Sequence, residues 1–164
     1  MRFFDFLFPP RVDEIALRGV SDDDFLVLVA PRLVSETRPG TVALLPFSAP
    51  VVRAAIHEAK YHGSEHGFKL LSLALAEYLR DADDVRTTRF NLKSKSSRLN
   101  LVVLVPIPLG VMRRKERGFN QAEEIANRAA KQLSGAVDTT LLVRIRETTS
   151  QISLQRHERE ENMR

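Results

Sequence analysis

The 164-residue sequence has no cysteine and no tryptophan, and it has only seven glycines. The absence of cysteine excludes disulfide bonds, thiolate nucleophiles and cysteine-based zinc sites. No apolar run approaches the roughly 20 residues that span a bilayer. Asp5 and the Pro9-Pro10 pair interrupt the apolar opening, unlike the centre of a secretory signal peptide. These absences predict a soluble, cytoplasmic protein with no membrane partner.

Positive charge is concentrated in one block of the chain. Residues 86–118 hold 9 Lys or Arg and a single Asp or Glu, although the whole chain carries a net charge of only +4. Such a block favours a polyanionic partner, which could be pyrophosphate, a nucleotide or single-stranded DNA. Its densest part is a basic patch of Arg113, Arg114 and Lys115. A flexible basic linker without a specific partner remains the alternative.

A strand–helix–strand unit is predicted after residue 100. Leu101 to Val105 is a continuous apolar run, typical of a strand covered on both faces of a parallel sheet. Apolar residues then recur at helical spacing between Ala122 and Leu133, with Asn120 as the N-cap and Ser134-Gly135 as the end. The run from Leu141 to Ile145 predicts a second strand. The order indicates one βαβ unit.

The segment between this strand and helix predicts an anion site. Residues 113–118 indicate a basic turn that contains a glycine, so backbone N–H groups, positive charge and a helix N-terminus come together. Arginine suits bidentate contact with phosphate. The candidate pyrophosphate- or anion-binding residues are Arg117, Gly118, Phe119, Asn120 and Gln121.

The part of the chain before this unit has a helical pattern. Pro50 predicts the start of one helix, and Gly63-Ser64 predicts its end before a second helix that contains Phe68 to Leu79. Asp22-Asp23-Asp24 indicates a third helix, ended by Pro31. We therefore predict an N-terminal segment with a helical hairpin over residues 1–80, a basic linker over 81–100 and a partial core domain over 101–164.

Four motifs in order carry a resemblance to a known family. They are VPIPLG at 105–110, RRKERGFNQAEEIA at 113–126, LLVRIRETTSQISL at 141–154, and the closing Arg159-Glu160-Glu161-Asn162. A weaker likeness covers residues 52–63, which end in Lys60-Tyr61-His62-Gly63, and the phenylalanine-rich opening. In these motifs the chain resembles the ComF family, competence-associated proteins of the type I phosphoribosyltransferase superfamily.

The resemblance implies an α/β fold, in which a helical part precedes the first βαβ portion of a Rossmann-like phosphoribosyltransferase core. It implies transfer of a phosphoribosyl group from phosphoribosyl pyrophosphate, with Mg²⁺ bridging pyrophosphate and ribose oxygens in the full-length family. It also implies secondary contacts from the residues that match family motifs, namely Lys60, Arg146, Gln151, Arg159 and Asn162. The alternatives are that Lys60 complements the helix dipole, and that Gln151, Arg159 and Asn162 cap a helix or dock a domain.

Two departures limit these implications. The paired cysteines that follow the family's opening are absent, so we predict no metal site in this chain. The acidic pair and Thr-Thr-Gly loop that bind phosphoribosyl pyrophosphate do not appear between Asn162 and Arg164. We therefore expect a catalytically incomplete chain, with weak or no phosphoribosyl pyrophosphate binding and no bound cofactor. The catalytic residues stay unassigned.

A segment before the core matches part of the missing signature. Asp83 to Thr88 spells an acidic pair followed by a threonine pair, but Arg89 stands where the loop needs glycine. A solvated linker is the favoured interpretation of this segment, and a relocated phosphate loop is the alternative.

Two functions from other classes also fit. One is a competence or DNA-uptake accessory protein that binds single-stranded DNA or a DNA-handling partner through the basic block. The other is a truncated reading frame or half of a split protein, because only two strands are predicted after residue 100. Such a chain would self-associate or require a completing polypeptide.

Overall fold

The computed structural model describes residues 10–34, 41–89 and 102–147, with Gln155 and His157, and only the backbone of residues 83–89. These ranges form six helices and four strands of two residues each. The helices are α1 (Val12–Leu17), α2 (Asp22–Leu26), α3 (Pro50–His62), α4 (Glu65–Arg89), α5 (Val111–Arg117) and α6 (Gln121–Leu133); the strands are β1 (Arg32–Leu33), β2 (Val42–Ala43), β3 (Val103–Leu104) and β4 (Ala136–Val137).

The helical hairpin predicted from the sequence is confirmed as α3 and α4. Pro50 occupies the first turn of α3, where its missing N–H costs no helical hydrogen bond. Gly63 ends α3 in the left-handed conformation, with φ of 61°. The hairpin supplies most of the buried apolar side chains, namely Val52, Ala54, Ala55, Ala59, Phe68, Leu70, Leu71 and Ala74.

Small residues let the two hairpin helices approach closely. A Cβ atom built on Gly67 would lie 2.9 Å from the backbone oxygen of Ala55 and 3.2 Å from the backbone nitrogen of Ala59. Both neighbours are backbone atoms of α3, which cannot rotate away as a side-chain end could. Gly67 is therefore required at this crossing for its size.

The third predicted helix is confirmed as α2, but it is shorter than expected. Ser21 caps it: its hydroxyl accepts from the Asp24 backbone N–H at 3.1 Å, and the Asp24 carboxylate accepts from the Ser21 backbone N–H at 3.4 Å. The α-helix ends at Leu26 rather than near Ala30. Phe25 of α2 is fully buried against the hairpin.

A buried carboxylate ties the first described residues to the hairpin. Glu58 of α3 is 2% exposed and accepts hydrogen bonds from the Arg11 guanidinium at 2.9 and 2.7 Å. These bonds hold the pKa of the Glu58 carboxyl below its ordinary value, against the opposing effect of burial. Because the folded-state pKa is lowered, the pair stabilises the fold at neutral pH. That contribution is lost as the pH falls through the lowered pKa.

The second half contains a parallel strand pair joined by a helical connection, as predicted. Val103 pairs with Ala136, and Leu104 pairs with Val137. The first strand of this pair, β3, covers only two residues of the predicted 101–105 run. Leu101 lies outside the described residues. Val103 is 48% exposed, so the prediction that both faces are covered is wrong at that position. The chain is α/β in this broad sense, with two small sheets among helices.

The predicted second strand at 141–145 is wrong. The partner strand is β4, which follows directly after α6, and the Asp138 carboxylate then turns the chain. That carboxylate accepts from the Thr140 hydroxyl and N–H at 2.8 Å and from the Leu141 N–H at 3.2 Å. The turn ends the pairing before the apolar run begins, and residues 141–147 are exposed.

The segment predicted as a linker begins as helix. α4 continues to Arg89, nine residues into the 81–100 range, so the acidic and threonine pairs at 83–88 lie on a helical backbone. A helix donates its N–H groups along its own axis, which contradicts the alternative of a relocated phosphate loop there. No helix in the part of the chain that the structure describes is long and apolar enough to cross a membrane.

We predict that Gly67→Ala destabilises the protein by about 1–3 kcal/mol, because the added methyl meets backbone atoms of α3. This cost should exceed the gain that alanine normally brings inside a helix. Gly19→Ala is the matched control, since its Cβ meets nothing within 4 Å, and it should change stability by less than about 0.5 kcal/mol. Urea unfolding of both variants measures the difference, and equal midpoints would contradict the close helix approach.

Candidate functional site

The candidate anion-binding residues lie at the junction of α5 and α6. The prediction that residues 113–118 form a turn is wrong, because α5 includes Arg113 to Arg117 and only Gly118 lies beyond it. Gly118 has φ of 78°, the left-handed region in which other residues are strained. This geometry lets a connection of only three residues lead from α5 to the start of α6 at Gln121.

Asn120 fixes the start of α6 and the loop that precedes α5. It is 6% exposed, and its side-chain oxygen accepts from the Ala122 N–H at 3.1 Å, as predicted for an N-cap. Its amide nitrogen donates to the Ile107 carbonyl oxygen at 3.0 Å. One side chain therefore joins the VPIPLG motif to the RGFN motif.

Phe119 attaches this junction to the helical hairpin. Its ring meets the Phe68 ring edge to face, with centroids 5.6 Å apart. A Cβ atom on Gly63 would lie 3.6 Å from the same ring, so the ring lies next to the corner between α3 and α4. Phe119 thus places the RGFN segment against the end of α3.

This contact brings two predicted cations together around one aromatic ring. The Lys60 Nζ atom lies 4.9 Å from the centre of the Tyr61 ring, and the Arg117 guanidinium carbon lies 5.6 Å from it. Both distances are within the range of a cation–π interaction. Among the residues that the structure describes, no carboxylate forms an ion pair with either cation. The resulting Lys60–Tyr61–Arg117 group is called the cation–tyrosine cluster below.

Backbone N–H groups contribute less to this site than the sequence suggested. The Gly118 N–H is donated to the Arg114 carbonyl oxygen at 2.9 Å, and the Ala122 N–H is donated to Asn120. These two donors are therefore engaged within the protein. The positive side chains of Lys60 and Arg117 are the better contacts for an anion.

The basic patch occupies the surface of α5. Arg114 and Lys115 are exposed and Arg113 is half-buried. Arg114 lies 3.3 Å from the Glu123 carboxylate of α6, which neutralises part of its charge. The basic patch thus lies on the same helix as Arg117, and part of its positive charge is compensated by Glu123.

The remaining candidates are not brought to the cluster by any described contact. Gln121 is the first residue of α6 and is half-buried. Arg146 is exposed, and its carbonyl oxygen accepts from the Arg144 guanidinium at 3.0 Å. Gln151, Arg159 and Asn162 lie outside the described residues.

Three contributors were missed by the sequence analysis. Tyr61 lies inside the KYHG motif but was given no role, although aromatic rings beside basic residues are a recognisable signal. Phe68 was named only as part of the second predicted helix. Glu147 accepts from the first N–H of α5 at 2.6 Å, a contact across 36 residues that no local pattern reveals.

Two further features bear on what the site can bind. Within residues 10–34, 41–89 and 102–147, no group of three or more His, Asp or Glu side chains could hold a metal ion. An open cavity of about 320 Å³ lies between α4, the end of β3 and α6. Its lining is apolar, with Leu75, Val105, Pro106 and Ile125 among its residues, so it offers no charge to a phosphate.

We predict that Asn120→Asp destabilises the protein by about 1–3 kcal/mol at neutral pH. The introduced carboxylate keeps the cap of α6 but loses the donor to the Ile107 carbonyl, leaving two acceptors face to face. The deficit should shrink as the pH falls, because the protonated acid can donate again. Thermal unfolding between neutral and acidic pH tests this, and unchanged stability at neutral pH would show that the Ile107 bond contributes nothing.

No protein-family model matches the sequence, and neither a curated protein nor a solved structure is significantly similar to the chain. The assignment of function therefore depends on the sequence motifs and on the geometry described above.

Proposed function

We propose that this chain is a ComF-like relative of the type I phosphoribosyltransferases, and that it binds the pyrophosphate group of phosphoribosyl pyrophosphate at Lys60 and Arg117. The observation that carries the proposal is the cation–tyrosine cluster. Lys60 and Arg117 come from motifs more than 50 residues apart, yet both lie within 6 Å of the centre of one ring.

Electrostatics supports an anionic ligand at this cluster. Two cations held near each other repel, and the described residues supply no carboxylate that pairs with either of them. The compensated cations elsewhere differ: Arg128, for example, pairs with Glu65 at 2.9 Å and with Glu124 at 3.7 Å. A pyrophosphate would relieve the repulsion and accept charge-assisted hydrogen bonds from both side chains.

The proposal is limited to binding. The resemblance implies Mg²⁺, but the cluster consists of two cations and a tyrosine and offers the metal no carboxylate ligand. We therefore assign this chain no step in the transfer reaction.

The first test is titration with pyrophosphate, followed by calorimetry or by amide chemical shifts. We expect a dissociation constant in the micromolar range or weaker, and phosphoribosyl pyrophosphate with Mg²⁺ should bind no tighter than about 1 μM. Lys60→Gln and Arg117→Gln should each weaken pyrophosphate binding by about tenfold or more, because each removes a charge-assisted hydrogen bond.

The matched control is Lys131→Gln, which removes an exposed cation from the last turn of α6. It should leave pyrophosphate affinity unchanged. An equal loss of pyrophosphate affinity in the control would show that the effect comes from net charge and not from a site at Lys60 and Arg117. Unchanged affinity in the Lys60 and Arg117 variants would contradict the proposed site.

A second candidate function is favoured by the basic patch on α5. Arg113, Arg114 and Lys115 follow one another on a short surface helix next to Arg117. A concentration of cations on one short helix is typical of proteins that contact the phosphates of a nucleic acid strand. This observation supports single-stranded DNA as the partner, in the role of a competence or DNA-uptake accessory protein.

This candidate predicts a steep salt dependence of DNA affinity. The logarithm of the binding constant should fall with the logarithm of salt concentration by about 0.7 for each phosphate neutralised. Replacing Arg113, Arg114 and Lys115 by alanine should flatten the slope. The matched control replaces three exposed cations elsewhere, Arg32, Arg53 and Lys131, and should leave it unchanged. An unchanged slope in the triple-alanine variant would exclude the basic patch as the contact with DNA.

A further inference from the structure

The carboxyl ends of the parallel strands β3 and β4 lead into two segments that expose apolar side chains. Residues 107–116 follow β3 and residues 141–147 follow β4. The two segments meet where the Glu147 carboxylate accepts from the Val111 N–H at 2.6 Å. We call them together the strand-end surface. Six of its apolar residues are more than 60% exposed, namely Ile107, Val111, Met112, Leu141, Val143 and Ile145.

This exposure is more than an isolated chain normally shows. Val143 is 75% exposed and Ile145 is 97% exposed, although both have large apolar side chains. Soluble monomers rarely expose contiguous apolar patches larger than a few hundred Å². Single exposed apolar residues need no partner, but a contiguous set is typical of a surface that another molecule covers.

The strand-end surface is also positively charged. Its two segments contain five Lys or Arg and two Asp or Glu, which gives a formal net charge of +3. Two copies that met through this surface alone would repel each other, because like charges would face like charges. The matching partner therefore carries apolar side chains together with negative charge.

The chain itself carries such a surface on α1 and α2. Residues 12–27, which comprise both helices, contain five Asp or Glu and one Arg, a formal net charge of −4. Three of these carboxylates contact arginine, histidine or lysine side chains of the same molecule, and Asp23 and Asp24 are exposed. Val12 and Val27 are each 83% exposed. We call residues 12–27 the α1–α2 face.

Within one molecule the two surfaces leave each other uncovered. The α1–α2 face is fixed to the helical hairpin, since Phe25 is fully buried and Arg11 holds the buried Glu58 carboxylate. The strand-end surface is fixed by β3, β4 and α5. A second copy of the chain supplies the opposite charge and the apolar contact that each surface lacks.

We propose that copies of this chain associate head to tail, with the strand-end surface of one copy covering the α1–α2 face of the next. The interface is heterologous, because two different surfaces meet. Apolar contact supplies the affinity, and the opposite charges select the pairing and its orientation. Neither Lys60 nor Arg117 takes part, so the association is independent of the proposed function.

Sedimentation velocity on the nuclease-treated full chain measures this association. The average mass should rise continuously between about 1 and 200 μM and pass the mass of a dimer, because a heterologous interface leaves a free surface at each end. Raising the ionic strength from about 50 to 500 mM should weaken association by about threefold or more, since salt screens the opposite charges. A chain that stays monomeric overturns the proposal. Association that disappears after nuclease treatment also overturns it and identifies a nucleic acid as the occupant.

Two double variants each block one surface. Val143→Asp with Ile145→Asp blocks the strand-end surface, and Val12→Ser with Val27→Ser blocks the α1–α2 face. Each variant alone should associate about tenfold more weakly than wild type. The four positions are exposed, so the fold should persist, which thermal unfolding checks. If the aspartate variant unfolds, Val143→Ala with Ile145→Ala removes the same apolar contact and should also weaken association.

The matched control is Phe47→Asp, which changes an exposed apolar residue of neither surface. It should associate like wild type. An equal loss of association in this control, or undiminished association in both double variants, would overturn the assignment of the two surfaces.

Mixing the two double variants tests the pairing itself. One intact strand-end surface and one intact α1–α2 face then remain, on different molecules, so an equimolar mixture should form a dimer and nothing larger. A mixture that stays monomeric although wild type associates contradicts the head-to-tail arrangement. So does a variant with Val12→Ser and Val27→Ser that dimerises alone, since its strand-end surface would then pair with itself.

Discussion

The packing of Phe119 against the corner of the helical hairpin is the constraint on which the candidate site depends. Phe119 contacts Phe68 and lies beside Gly63, and this packing holds the α5–α6 junction against the end of α3. Lys60 and Tyr61 lie just before that corner, and Arg117 lies two residues before Phe119. An aromatic contact without any charge of its own therefore determines where the charged groups meet.

The buried polar groups of the scaffold have hydrogen-bond or ion-pair partners, whereas the cations of the candidate site have no carboxylate partner among the described residues. Glu58 is buried with an arginine partner, and Asn120 is buried with both its donor and its acceptor used. The positions that form the scaffold thus follow the rule that buried polar groups are paired. Lys60 and Arg117 lie at the edge of that scaffold against a ring, and no carboxylate among the described residues forms an ion pair with either of them.

Local signals in the sequence predicted the hairpin helices and the start of α6 well, but they missed α1 and α5 and predicted the strands badly. Pro50, Gly63, the acidic start of α2 and the Asn120 cap each act within one helical turn, so their effect can be derived from neighbouring residues. The second strand depends on a choice between the pair at 136–137 and the more apolar run at 141–145. The Asp138 turn decides it through hydrogen bonds to Thr140 and Leu141. Apolar pattern alone does not reveal that turn.

The sequence predicted individual residues of the candidate site, but it did not predict that they lie next to one another in the fold. The sequence indicated Lys60 and Arg117 separately, as members of two motifs. Their meeting at Tyr61 depends on the packing of Phe119 and Phe68, which is a tertiary contact between residues 51 positions apart. Arg146 matched a motif equally well, yet it lies on the exposed segment after β4. Motif membership therefore did not distinguish residues at the cluster from residues elsewhere.

The parallel pair of β3 and β4 joins residues roughly 30 positions apart through only two pairs of residues. The α3–α4 hairpin, by contrast, forms across a corner of two residues. Closing the longer loop costs more chain entropy and forms fewer hydrogen bonds, so we expect the hairpin to form before the α5–α6 half docks on it. Arg117 belongs to the late half and Lys60 to the early one. An anion that bridged the two residues would therefore oppose the detachment of one half from the other.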